Sequence, residues 1–324
     1  MAYAPSPRPS FTEPTHIPYR SVTRHLWGDD GAGRVSDWIY VSSTDIHQLV
    51  FGLPPRGRFR HSDSFRTVFA ADEVLYVLSG VMLIANPETG EVHRVAPGEA
   101  AFFRRDTWHH VINHSDEELR VLEFFSPPPS QGTSGSYART RPYLEQSTYT
   151  QDHWLGAWPA EREKILAADT ITRIGVADRR LRLEGHDQQV LVGLLASTEH
   201  LTAGVVELLP GRRGDIETHP GQESLYVTRG RLNVHLPEAG PDVASWCELG
   251  PGDGFFLPAG TPHQYYNWSA ESVEFVFGVA PAYLSDSADS GNAEDAEDAE
   301  EAEPADPVDP ADPAGLSESS ESSE

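Results

Sequence analysis

The chain has 324 residues, with 24 Lys+Arg against 50 Asp+Glu and a formal net charge of -26; this acidity excludes a general affinity for nucleic acid, which needs clustered basic residues facing phosphates. The single cysteine, Cys247, excludes an intramolecular disulfide and any cysteine-built zinc or iron–sulfur centre. No apolar run approaches the roughly 20 residues of a membrane helix, and the opening MAYAPSPRPS lacks a signal-peptide core, so the expectation is a soluble cytoplasmic protein of about two domains with no membrane partner.

Residues 1–34 read as an N-terminal arm, Pro-rich over the first twenty. Over 35–127, short β-branched and aromatic runs alternate with Gly/Pro/Asp clusters, and Glu73–Leu78, Ala101–Phe103 and Arg120–Phe125 are predicted strands. Residues 128–185 read as a linker, Pro-, Gly- and Ser-rich at its start. It carries one predicted helix, Pro159–Ala168, with proline in the first turn and good helix formers after it. Strands return over 186–284, at Glu223–Val227 and Ser272–Phe277. Residues 285–324 are mainly Ser, Ala, Asp, Glu and Pro without an aromatic residue; they cannot bury enough apolar surface to offset chain entropy and are predicted to be disordered. Fifteen of the acids and none of the basic residues lie there, so residues 1–284 carry a net charge of only -11, and the tail reads as solubilising. Many short strands with regular turn signals define an all-β fold, sandwich or barrel.

An internal repeat orders these strands. Glu73-x6-Gly80, Pro97-Gly98 and His109-x3-Asn113 recur as Glu223-x6-Gly230, Pro251-Gly252 and His263-x3-Asn267, with the glutamates 150 positions apart and the histidines 154. Each half is therefore one copy of the same β unit.

The second copy concentrates the chemistry. Glu217 and His219, two apart, share a face of an extended chain; Pro220-Gly221 then turns the backbone so that Glu223 can meet them, and alternation aligns His263 with Tyr265. Two imidazoles and two carboxylates in one apolar cavity suit a divalent first-row metal; the alternative is a buried set satisfied by hydrogen bonds. Leu225, Val227, Tyr265, Phe275 and Phe277 share the parity of the ligands and read either as an apolar pocket wall or as plain core. Arg212 and Arg213 either meet an anionic substrate or are solvated, and Cys247 reads as packing.

These spacings resemble the cupin superfamily, whose first motif is G-x5-H-x-H-x3–4-E-x6-G and whose second is G-x5-P-x-G-x2-H-x3-N. Gly211, His219, Glu223 and Gly230 follow the first motif, and Gly252, Pro258, Gly260, His263 and Asn267 the second. The first half resembles a degenerate copy, so the whole, over about 35–281, is similar to a bicupin. The resemblance implies two tandem jelly-roll β-barrels, a metal-free one over 35–127 and a metal-binding one over 186–284. It implies His219, Glu223 and His263 as ligands. Glu217 stands where the family has its first histidine. As a ligand it makes the centre harder and favours Fe2+ or Mn2+ over Cu2+, with Ni2+ and Zn2+ as further candidates; alternatively it is a base beside the metal. In the first half the two histidine positions are Thr67 and Phe69, and Arg104 and Asp106 replace the Pro and Gly of the second motif. No metal is expected there; Glu73 and His109 are expected to pair, or the barrel to take a metal-free ligand, and His61, His110 and His114 to lie in loops or at the surface. The functional expectation is a metal-dependent oxygenase of dioxygenase type, taking O2 and a small organic substrate. Its alternatives are a redox-neutral isomerase, lyase or cyclase with Glu217 as base and Tyr265 as acid, and a non-enzymatic binding protein. The resemblance also implies a homodimer.

Overall fold

The computed structural model describes residues 6–128, 136–151, 156, 159, 161–185, 187–241 and 243–285; the acidic tail expected to be disordered lies outside the described residues. The first eleven strands are β1 (Thr15–Ile17), β2 (Thr23–Asp29), β3 (Gly33–Ser42), β4 (His47–Leu53), β5 (Arg58–Phe59), β6 (Asp72–Ser79), β7 (Met82–Ala85), β8 (Val92–Val95), β9 (Ala100–Phe103), β10 (His110–Asn113) and β11 (Leu119–Ser126). Two short helices follow, α1 (Ser136–Arg139) and α2 (Arg162–Ala167). The remaining strands are β12 (Ile171–Ile174), β13 (Arg180–Glu184), β14 (Val190–Ser197), β15 (Thr202–Leu208), β16 (Gln222–Arg229), β17 (Leu232–His235), β18 (Trp246–Leu249), β19 (Gly254–Leu257), β20 (Gln264–Tyr266) and β21 (Val273–Ala280).

They form two antiparallel jelly rolls. The first closes a seven-stranded sheet, β12-β9-β6-β11-β4-β3-β2, over a four-stranded one, β5-β10-β7-β8; the second closes β1-β19-β16-β21-β15-β14-β13 over β18-β17-β20. Each barrel borrows an edge strand from across the chain. β1 pairs with β19 of the second barrel, Thr15 opposite Phe256, and β12 pairs with β9 of the first, Ile171 opposite Phe103. The sheets thus reach into both stretches read above as arm and linker, since β2 pairs with β3 and β13 with β14.

The strands are buried on both faces, which explains why they read as unbroken apolar runs. On β6, Leu75 and Val77 enter the first barrel core while Val74 and Tyr76 face outward; on β21, Phe275 and Phe277 enter the second core while Val276 faces outward. The outward residues of the two large sheets meet in a shared core that includes Tyr40, Leu122, Phe124, Val205, Phe256 and Val276.

The repeat also has a structural half. Gly80 and Gly230 hold φ of 74° and 78°, and a Cβ would lie 2.8 Å from Leu119 Cα and 2.6 Å from the Ser272 carbonyl; only glycine fits where each strand ends against the next. Asn267, fully buried, donates from Nδ2 to the Leu208 and Glu271 carbonyls and accepts from the Ser269 amide and hydroxyl. Asn113 does the same with Leu53, Glu117 and Ser115. These motif residues tie loops, leaving the chemistry to Glu and His.

His110 departs from expectation, lying buried in β10; His61 lies in a loop as expected, though it too is buried. His109, just before β10, faces inward among Phe59, Phe69 and Phe103, so His110 points out of the barrel, where the 144–149 segment covers it. His61 Nδ1 lies 2.7 Å from His110 Nε2, His110 Nδ1 3.0 Å from Tyr149 Oη, and His61 Nε2 2.7 Å from the Leu144 carbonyl. Burial pushes His110 down to about 3. His114 is exposed.

Glu91 clamps β12 onto the first barrel. Its buried carboxylate accepts from the Thr170 and Ile171 amides and the Thr170 hydroxyl, and lies 3.0 Å from His93 Nε2. Burial alone would raise this acid, but the bonds from His93, Thr170 and Ile171 pull it down from 4.5 to about 2. A depressed folded-state value stabilises above the unfolded one and is lost as pH falls from about 4.5 toward 2, worth on the order of 3 kcal/mol. Glu91→Gln is therefore expected to lower stability by about 3 kcal/mol at pH 7, with the difference from the parent shrinking toward zero at pH 2 in urea titrations; a difference independent of pH would contradict this.

Candidate metal centre

The residues 217, 219, 223 and 263 come together at one end of the second barrel. Glu217 is not in a strand but in an isolated bridge, exchanging both backbone hydrogen bonds with His263 at 2.8 and 3.0 Å. Glu223 is the second residue of β16, and His263 directly precedes β20. The ligand atoms of Glu217, His219 and His263 all lie within 4.8 Å of one another. Glu223 Oε2 is 3.5 Å from His219 Nε2 and 3.2 Å from His263 Nε2, and Glu217 Oε2 is 3.9 Å from His219 Nε2.

The outer contacts aim both imidazoles. His219 Nδ1 lies 3.0 Å from the Tyr283 carbonyl and His263 Nδ1 3.0 Å from the Thr261 carbonyl. A carbonyl only accepts, so each Nδ1 must be the donor. Nε2, the metal-binding nitrogen, is left facing the carboxylates. Tyr265 Oη donates to Glu223 Oε1 at 2.7 Å, which turns Oε2 into the site. Glu223 Oε2 and His263 Nε2 are buried with no aligned hydrogen-bond partner. Two buried donor atoms so presented fit a divalent cation.

The electrostatics agree. Burial would raise Glu223, but His263 and His219 hold its carboxyl below the usual range; burial would lower His263, but the Glu223 carboxylate raises it. The proton that a charged His263 carries is what a metal ion would displace. Burial, reinforced by Glu184, pushes Glu217 up to about 7. Burial and Glu223 raise Tyr265 well above the ordinary phenol range, so it holds its proton on Glu223 and is poorly placed as an acid.

The cavity above the ligands is walled by Glu184, Val190, Val206, Phe275, Phe277 and Tyr283. It leaves about 10 Å³ for the centres of water-sized spheres, about one water. Leu225 and Val227 belong to the barrel core instead. Arg212 lines a separate outer groove and Arg213 lies over Tyr266; neither lines this cavity. Cys247 packs against the core. Tyr283 and Glu184 were not singled out from sequence. The Tyr283 ring stacks on His219 at 4.3 Å and its hydroxyl bonds Glu184 at 3.2 Å. One lies on an edge strand and the other beyond the last strand, so no motif spacing marks either.

The cupin domain family matches residues 70–125 and 204–279, one segment in each barrel. The chain is a bicupin. None of the curated proteins matches it. Among solved structures, oxalate decarboxylase of Lactobacillus farciminis in its formate complex is 16% identical, covering 92% of this chain and 97% of its own, with a TM-score of 0.56. A point mutant of Bacillus subtilis oxalate decarboxylase is 14% identical over 86% of this chain and 80% of its own, with a TM-score of 0.56. A Pseudomonas aeruginosa protein described as glyoxylate-induced is 15% identical over 86% and 93%, with a TM-score of 0.59. Such identities show a shared fold alone. Mn(II) centres are described for the B. subtilis enzyme.

In the first cupin barrel the expected pairing of Glu73 with His109 does not form. Glu73 Oε2 lies 3.9 Å from His109 Nε2, too far for a hydrogen bond, and burial with the neighbouring Glu123 raises the Glu73 carboxyl well above its usual range. Glu123 from β11 brings its ligand atom within 4.8 Å of those of Glu73 and His109, a juxtaposition no motif announces. Arg104 reaches Asp72 at 2.9 Å and also Glu199, tying the barrels together. Asp106 accepts from Arg141 at 2.6 Å.

Proposed function

We propose that this bicupin is a mononuclear metal enzyme of dioxygenase type, acting on a small organic substrate beside an Fe2+ or Mn2+ ion held by Glu217, His219, Glu223 and His263. The observation that carries this reading is the convergence of two carboxylates with two imidazoles whose Nδ1 atoms are already anchored to carbonyls. Two carboxylates make the set hard and anionic, which favours Mn2+ or Fe2+ over Cu2+. Among the residues described as lining the cavity there is no Arg or Lys, so a dicarboxylate would find no counter-charge beyond the metal itself. The apolar walls formed by Val190, Val206, Phe275 and Phe277 favour a neutral or singly ionised enol or phenol, of which only the coordinating end enters a space of about one water.

When bound, the metal supplies Lewis-acid polarisation and access to O2 chemistry. The chain's residues do the rest. Thr261 and Tyr283 fix the imidazoles, Tyr265 fixes the rotamer of Glu223, and the apolar wall with Tyr283 excludes water. A second reading rests on Glu217. A carboxyl raised to about 7 is matched to proton transfer near neutrality, as a redox-neutral isomerase or lyase would need. Oxygen consumption over a panel of enolic and phenolic substrates tests the choice. Uptake of O2 in step with substrate loss is expected; full turnover under strict anoxia would overturn the dioxygenase reading in favour of the redox-neutral one.

A further inference from the structure

We propose that the first barrel holds a second, metal-independent binding site, for a small organic cation of the ammonium class, built on Asp37 and Glu123 within a cage of aromatic rings. The internal repeat supplies the argument. Aligning β3 with β14 and β11 with β21 through their shared registers puts Asp37 at the place of Val192 and Glu123 at the place of Phe277. The same repeat puts Thr67 and Phe69 at the places of Glu217 and His219. The first barrel has lost two donors at its mouth and gained two carboxyls on the inward face of its large sheet.

Those carboxyls are costly where they stand. Asp37 is 4% and Glu123 6% exposed, on strands whose other inward residues, Val35, Ile39, Val121 and Phe125, belong to the apolar core. Buried carboxyls without a counter-charge are disfavoured unless something pairs them. Among the residues described as lining their cavity none is Arg or Lys. Two further polar groups on that wall, Thr67 Oγ1 and Trp27 Nε1, are buried without a hydrogen-bond partner. The threonine hydroxyl can accept from an ammonium N–H.

The rest of the wall is aromatic: Trp27, Phe51, Phe59, Phe69 and Phe125. Ring faces attract organic cations, most strongly when desolvated. The cavity leaves about 40 Å³ for the centres of water-sized spheres, against about 10 Å³ beside the metal ligands, so a methylated ammonium has room. A metal ion is less well served. The second imidazole position is Phe69, and His109, the single nitrogen donor, is walled by Phe59, Phe69 and Phe103 with ring centroids 6.0, 5.9 and 4.8 Å away. Burial raises the Asp37 and Glu123 carboxyls well above their usual range, so cation binding would also release protons.

Titration calorimetry of the metal-loaded full chain with methylammonium, dimethylammonium and trimethylammonium chloride tests the site. At least one of the three is expected to bind saturably with one equivalent per chain, and at least tenfold more weakly in Glu123→Gln, which keeps the side-chain shape. The double variant Asp37→Val/Glu123→Phe, carrying the residues of the second barrel, should lose binding, keep its metal and resist denaturant better than the parent. Absence of saturable binding by all three cations, or undiminished binding in Glu123→Gln, would overturn the proposal. So would a second equivalent of Mn2+ that disappears in Glu123→Gln.

Discussion

Replacing Glu223 by glutamine empties the metal centre without unfolding the barrel. The parent is expected to carry about one divalent ion per chain and Glu223→Gln less than about a tenth of that, with activity falling in proportion. The amide is isosteric and still accepts the Tyr265 hydroxyl at Oε1, so packing is kept. What is lost is the charge of Oε2, the atom that faces both Nε2 nitrogens at 3.5 and 3.2 Å. Removing only an outer contact of a metal ligand typically lowers affinity about 10- to 100-fold, and removing the ligand's charge should do more. Two companions grade the effect. Tyr265→Phe frees the Glu223 rotamer and should weaken metal binding within that 10- to 100-fold range. Glu217→Gln separates its two roles, because metal lost with activity marks a ligand and metal kept while activity falls marks a base. Elemental analysis beside a thermal melt reads all three; full metal retention by Glu223→Gln would contradict the assignment.

Phe124→Ala should destabilise the protein by about 3–5 kcal/mol, the range for a fully buried phenylalanine. Phe124 points away from its own barrel into the core shared by both large sheets. There it lies against Gly278 of β21; a Cβ on that glycine would stand 2.7 Å from the Phe124 ring. Because Phe124 anchors one barrel to the other, both should feel the cavity. The melt should move down by roughly 10 °C, at about 2–4 °C per kcal/mol for a body of this size, and stay a single transition. Two separated transitions in the parent, or a shift of only a degree or two in the variant, would contradict a shared core.

How much of this was legible before folding depends on whether the cause was local. The strands around Glu73, Arg120, Glu223 and Ser272 show in their β-branched and aromatic runs, and the motif glycines and asparagines mark where those strands must stop or be tied. The convergence of Glu217, His219, Glu223 and His263 follows from spacing, because a turn and a strand period place them. β1 and β12 were not legible. Thr15–Ile17 and Ile171–Ile174 are too short to announce themselves, and their partners lie more than two hundred residues away in one case and on another sheet's edge in both. Nor does alternation show in β6 or β11, since an apolar face is needed both inside the barrel and between barrels. That masked Asp37 and Glu123 as inward residues and hid that His110 turns outward under a covering segment. Tyr283 and Glu184 reach the centre only through the closed barrel.

Anomalous diffraction from crystals of the Mn2+-loaded protein, collected on the low-energy side of the iron edge, tests the central claim most directly. The account predicts one peak per chain, within coordination distance of His219 Nε2, His263 Nε2 and Glu223 Oε2. A peak among Glu73, His109 and Glu123, or none near His263, would contradict it.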